Sequence, residues 1–164
     1  MMVAYKFTNI FPLLCICFVP SVSYTMYSNY SNHEKFLVAA ATGNLDLIKN
    51  LLFVHKVDID YVGQDGTSAL IWATKMECVD AVQLLINYNA NVHLQNDWGV
   101  TALHWAADNG NQKIFSALIN AGAQTDVRDC RGATPYMWAK RTGNLKLFDA
   151  FFNQQQQDEF GKSI

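Results

Sequence analysis

Residues Thr101 to Gly110 read TALHWAADNG. A hydroxyl residue stands before an apolar and alanine-rich run, and a glycine closes it. That is the layout of a short helix with a polar start and a glycine stop. The stretch recurs in altered form. Ala39, Ala73, Ala106 and Ala139 each lie near the end of such a run, at spacings of 34, 33 and 33 residues. Gly66, Gly99 and Gly132 are each 33 apart, and Gly43, Glu77, Gly110 and Gly143 follow the alanines at one fixed offset. Around these markers lie KFLVAAATGNLDLIKNLL, SALIWATKMECVDAVQLLI, TALHWAADNGNQKIFSALI and TPYMWAKRTGNLKLFDAFF. A fixed period of this length marks a stack of repeated units.

Each copy holds two short amphipathic segments, neither of which can bury its apolar side alone. Stacking neighbours buries a continuous strip, and about three or more units are needed for stability. Thr67-Ser68, Thr101 and Thr134 can cap the first helix of their copies by accepting from its unpaired amides. Pro135 stands where a first-turn proline costs little.

These segments resemble ankyrin repeats, whose pattern is a G-x-T-P-L-H-x-A-A core, a glycine four residues later, an apolar helix and a Gly-Ala turn. The third copy fits best, with Gly99, Thr101, Leu103, His104, Ala106, Ala107, Gly110 and Gly122-Ala123. The resemblance covers roughly residues 33–153. It implies an all-α solenoid of four units, at about 33–62, 63–95, 96–128 and 129–153, joined by short β-hairpins. It also implies that His104 bridges neighbouring repeat backbones and that hairpin tips and the concave helix face contact a protein partner.

The departures from the pattern are local. An extra residue between Leu52 and Val57 accounts for the 34-residue spacing, and Lys56 falls where the family favours a left-handed glycine, so this turn is expected to differ. Asn89 takes that place in the second copy and tolerates the conformation. Ile71 replaces the family histidine and Glu77 the glycine, so strain or rearrangement is expected near Met76 to Cys78. Tyr136 and Met137 replace Leu and His in the fourth copy. Its second helix, 145–152, is apolar for a terminal unit, so Phe148, Phe151 or Phe152 is expected to be partly exposed or covered by the tail. Residues 154–164 carry glutamines without periodicity and are expected to be disordered.

Residues 1–23 stand outside the repeats. Lys6, an apolar run over 10–19, Pro20 and then Ser21-Val22-Ser23 have the three-part layout of a secretory signal peptide cleaved after Ser23. The run is too short to span a bilayer. The expectation is a secreted chain. The alternative is a cytoplasmic one in which these residues pack as an apolar cap. Residues 24–32 form a polar lead-in, where Asn29-Tyr30-Ser31 matches a glycosylation acceptor pattern.

The 164 residues suit one domain, and an apolar content of 51% suffices for a core. A formal charge of −2 argues against general attraction to nucleic acid. There is no glycine-rich phosphate loop, and no Ser, Cys or carboxylate recurs beside His104 at a dyad spacing. His33, His55 and His93 lie in different copies, away from the cysteines. No catalytic residue, cofactor or metal is therefore expected. Cys78 and Cys130 lie two copies apart, beyond the reach of about 7 Å between Cα atoms that a disulfide needs.

The reading favours a monomeric, non-catalytic protein-binding module. Trp98 at a hairpin tip is the foremost contact candidate, against simple packing on the next hairpin. Asp97, Val100, Gln64, Asp65, Lys75, Met76, Asp108, Asn109, Arg131 and Arg141 are the other variable positions of the tips and groove. Trp72, Trp105 and Trp138 recur 33 apart with Val38 as their counterpart, forming either a packing ladder or an aromatic floor. Asp58, Asp60 and Asp65 make one end acidic; Arg128, Arg131, Lys140, Arg141 and Lys146 make the other basic. This is either a solvated surface or a groove with opposite poles.

Overall fold

The computed structural model describes residues 30–149. Seven helices follow one another: α1 (Asn32–Thr42), α2 (Leu45–Phe53), α3 (Ala69–Lys75), α4 (Val79–Asn87), α5 (Ala102–Asn109), α6 (Gln112–Asn120) and α7 (Pro135–Thr142). The chain is helical again over 146–149. The first helices of successive repeats, α1, α3, α5 and α7, pack side by side, and α2, α4 and α6 form a second layer behind them. The expected leader at 1–23, most of the lead-in, the last residues of the second helix of the fourth repeat and the tail lie outside the described residues.

The helices begin where the hydroxyl and amide side chains stand. Ser31, Ser68, Thr101 and Thr134 each accept an amide at the start of a first helix. Ser31 and Glu34 form a reciprocal pair, with Glu34 N donating to Ser31 Oγ (3.2 Å) and Ser31 N to Glu34 Oε2 (2.8 Å). Asn44 and Asn111 cap α2 and α6 in the same way, whereas Cys78 gives α4 no side-chain cap.

Alanines decide how near the layers approach. Ala39, Ala73, Ala106 and Ala139 are fully buried, so the helices of a repeat close on one another with only a methyl between them. Phe36, Ile48, Leu51, Leu70, Leu85, Leu103, Ile114 and Leu118 fill the continuous strip around them. Ile71, at the histidine position of the second repeat, is buried as an aliphatic member of that core. Phe148 is also buried, in edge contact with Phe115 (4.9 Å) and Tyr136 (5.3 Å), so among the three phenylalanines considered for exposure it is not the exposed one. Phe151 and Phe152 lie outside the described residues.

The turns keep the period even where the usual glycine is missing. Glu77 takes a φ of +57, close to Gly110 at +75, so of the strain or rearrangement expected at Met76 to Cys78 the structure shows strain: a non-glycine residue held in the left-handed form. Its neighbours form the usual helix-stop bonds, Glu77 N to Thr74 O and Cys78 N to Ala73 O. Lys56 likewise sits at φ +54. Its turn differs in span: Val57 N reaches back six residues to Leu51 O, where Ala90 and Ala123 reach back five.

The hairpins are tight turns with a single isolated bridge, Val62 to Ser68, and no extended strands among the described residues. Asn96 Oδ1 accepts the amides of Trp98 and Val100, and Asp129 Oδ1 those of Arg131 and Ala133. Successive tips are tied by Asp97 N to Asp65 O and Cys130 N to Trp98 O. A rigid row of tips therefore projects along one edge of the helix stack.

Candidate functional site

His104 sets the spacing between repeats three and four. Thr101 N donates to Nδ1 at 3.2 Å, and the Thr101 hydroxyl lies 2.9 Å from the same nitrogen. Nδ1 is thus the acceptor, and Nε2 carries the proton and donates to the Ala133 carbonyl at 3.2 Å. Burial holds the imidazole below its ordinary 6.5, against the Ala133 carbonyl and the Asp129 carboxylate, which favour the cation. The ring is fully buried and faces no open space, so it is a structural bridge.

Asp129 has a parallel task in the next hairpin. Besides the two amides on Oδ1, its Oδ2 accepts the Trp138 indole N–H at 3.0 Å. Burial pushes the carboxyl upward, but these donors and the nearby His104 outweigh it and hold the group below its ordinary 3.8. Its charge is spent inside the fold.

A groove of about 350 Å³ runs between the tips and the exposed side of the first helices. Trp98, Trp105, Trp138 and Met137 supply apolar surface, and Asp65, Lys75, Arg131 and Arg141 supply charge. Trp98 is 47% exposed at its tip. Trp105 meets Trp138 edge to face at 5.4 Å. The Lys75 ammonium lies 4.9 Å from the Trp72 ring centre and 4.7 Å from that of Trp105, and the Arg141 guanidinium lies 5.2 Å from Trp138. Cations over indole faces are attracted by the ring quadrupole, so they are held rather than left to wander. Burial lowers the Lys75 pKa below its ordinary 10.5, with Asp65 acting the other way.

The candidate residues separate on this geometry. Asp65, Lys75, Trp98, Val100, Arg131 and Arg141 all line the groove, although Val100 is buried and offers only wall. Gln64 and Asp97 are exposed at the tips. Met76 is the half-buried cap at the end of α3. Asp108 pairs with Arg141 at 2.9 Å. Asn109 is committed internally, its Nδ2 lying 3.2 Å from Thr74 O and 3.3 Å from Lys75 O, so its side chain joins two repeats instead of reaching outward. The two readings of the tryptophan ladder hold at different rungs: Trp72 is buried packing, while Trp105 and Trp138 border the groove.

Met137 and Cys130 also line the groove without having been singled out as contacts. Met137 occupies the His104 position one period later and is 49% exposed. Its apolar character at a normally polar position was the available signal. Asp58 and Asp60 do not line the groove; Asp60 Oδ1 instead accepts Asn91 N at 2.8 Å. Cys78 and Cys130 are not bridged, and Cys78 Sγ lies 3.5 Å from Ala41 O. Among the described residues no three His, Cys, Asp or Glu side chains gather to hold a metal, and no helix is long and apolar enough to cross a membrane.

Stacked helix pairs, left-handed stops and bonded hairpin tips define a repeat-built binding scaffold. The family model for ankyrin repeats, in three copies, matches residues 36–129 and 86–160, and the chain belongs to that family. It is 46% identical over 54 residues to Cortactin-binding protein 2 of Ornithorhynchus anatinus, covering 33% of this chain and 3% of that protein. The same protein of Mus musculus matches to the same extent. Palmitoyltransferase akr1 of Schizosaccharomyces pombe is 32% identical over 56 residues, 34% of this chain and 9% of the enzyme. The chain thus spans less than a tenth of the length of these relatives. The family is typically a protein-interaction module without catalytic activity.

Proposed function

We propose that this protein is a non-catalytic binding module whose groove, centred on Trp98, seats a segment of another protein. The observation that carries this reading is the 47% exposed indole at a tip fixed by backbone bonds on both sides. Trp98 N donates to Asn96 Oδ1 and Trp98 O accepts from Cys130 N, so the ring is presented without an ordering cost falling on the tip. Large rigid aromatics of this kind are enriched among residues that dominate binding energy. The likeness to akr1 covers 9% of that enzyme, and its transferase activity is not carried over.

Residues 1–23 make the module a secreted one, on the layout of their charge, apolar run and small residues. An effector acting on a protein of another cell is the form that reading takes. An intracellular adaptor or inhibitor is the second reading, in which the apolar residues of 1–23 serve as a cap and stay on the chain. Sequencing the N-terminus of the expressed protein separates them: a start at Tyr24 supports export, and an intact Met1 on soluble intracellular protein contradicts it. For the groove, affinity capture is run with the wild type and Trp98→Ala side by side. Loss of the captured protein supports the site, and equal recovery removes Trp98 from it.

A further inference from the structure

We infer that the groove takes an acidic-apolar protein segment, with carboxylates meeting Lys75 and Arg131 and an adjoining apolar side chain packed on Trp98. This rests on the groove being the binding site, and it adds the chemistry of the occupant.

The charges decide it. Five charged side chains line the groove: Asp65, Asp129, Lys75, Arg131 and Arg141. Asp129 is saturated by three donors from its own hairpin and helix. Arg141 is engaged by Asp108 at 2.9 Å. Asp65 Oδ1 accepts Thr67 N at 3.1 Å. Among the described residues neither Lys75 nor Arg131 forms an ion pair. The ammonium of Lys75 is held over two indoles, which attract it but accept no strong hydrogen bond, so its three donors still call for oxygen. Arg131 is exposed on the tip next to Trp98. With Asp108 included the groove's charges balance, and Asp65 acts on Lys75 from beyond ion-pair distance, yet Lys75 and Arg131 remain two cations without an ion-pair contact beside apolar surface. Half-burial of the ammonium strengthens its attraction for an incoming carboxylate, because less water screens the pair.

The rings argue against a stacked nucleic-acid strand, the other polyanion this charge would suit. Base stacking needs open indole faces. Lys75 covers faces of Trp72 and Trp105, Arg141 covers Trp138, and Trp105 meets Trp138 edge to face. Trp98 alone offers an exposed ring, which suits one apolar anchor.

The test is selection of a random twelve-residue peptide display library on the full chain. Recovered peptides are then synthesised and titrated by fluorescence anisotropy. The expected result is enrichment of Asp or Glu next to Leu, Ile, Phe or Trp. Affinity should drop about tenfold or more for Lys75→Met, Arg131→Gln and Trp98→Ala, and for the peptide with its acids changed to amides. Lys75→Met keeps the stem that packs between the indoles. Arg131→Gln lies on the surface, so a binding loss there is not a folding loss; circular dichroism of each variant checks this. Neutral or basic peptides that bind the wild type and are lost with Trp98→Ala overturn the acidic chemistry and leave the groove standing. Peptides indifferent to Trp98→Ala, or no enrichment, overturn both. Equally tight binding of a twelve-nucleotide oligo-dT, abolished by Trp98→Ala, also overturns the peptide assignment.

Discussion

His104 shows how one side chain ties two repeats without facing a ligand. Its Nδ1 accepts from Thr101 and its Nε2 donates to Ala133 O, across a boundary that no covalent turn could align as closely. Removing the ring in His104→Ala takes the acceptor from the buried Thr101 amide, takes one of two donors from Ala133 O, which keeps Asp129 N, and opens a cavity. We expect a loss of about 3 kcal/mol, read from urea denaturation. Because burial lowers its pKa, the unfolded chain takes up a proton at 6.5 while the folded chain still refuses it. The contribution of neutral His104 is thus complete above pH 6.5 and is lost as pH falls from there toward the folded value. Asp129, held below 3.8, adds a loss only in more acidic solution. Denaturation at pH 7 and pH 5 should show weakening that His104→Gln reduces. The exposed pair Arg141–Asp108 should matter far less: Asp108→Asn should change stability by less than about 1 kcal/mol.

At the scale of the element, the second repeat carries the fold with poorer parts than its neighbours. Cys78 stands where Asn111 and Asn144 stand one and two periods later. Asn111 caps α6, and Asn144 Nδ2 donates to Asp108 O of the preceding repeat at 2.7 Å. Cys78 gives α4 no side-chain cap, and its Sγ lies 3.5 Å from Ala41 O and 3.7 Å from Met76 O. Cys78→Asn should restore the cap and the bond to the preceding repeat and raise stability by about 1 kcal/mol, seen as a higher urea midpoint. Lys56 pays for a left-handed backbone at φ +54 with an exposed side chain. Lys56→Gly should gain up to about 1 kcal/mol by the same measurement. These elements also show what the sequence makes legible. The 33-residue period, the capping hydroxyls and the alanine rows are repeated signals, so the helices and the repeat class could be read directly. Glu77 and Lys56 were legible as departures, a strained turn and a turn of different span; less legible was that both would keep the left-handed form against local preference.

Across the whole molecule, the rows of equivalent residues become surfaces, and the sequence only partly shows which. Trp72, Trp105 and Trp138 share a register, yet the first is buried and the others border a groove, because neighbouring tips and helices cover each rung differently. Asn109 looked like a free variable position, but its amide reaches two carbonyls 34 and 35 residues earlier. Lys75 was read as a groove position, and only the stack places it between two indoles. Such pairings join residues about a period apart and depend on the lateral offset of the helices, which no spacing encodes. Trp98 was legible for the opposite reason: a large apolar residue at a turn tip has little of its own repeat to pack against.

On the proposed reading, the Trp98 groove is where this module holds its partner. The most direct measurement is quantitative capture of that partner by the wild type, by Trp98→Ala and by Gln83→Ala on the exposed side of α4. Trp98→Ala is expected to lose about tenfold or more in affinity for the partner while Gln83→Ala retains it. Equal recovery by all three proteins, each shown to be folded, would contradict it.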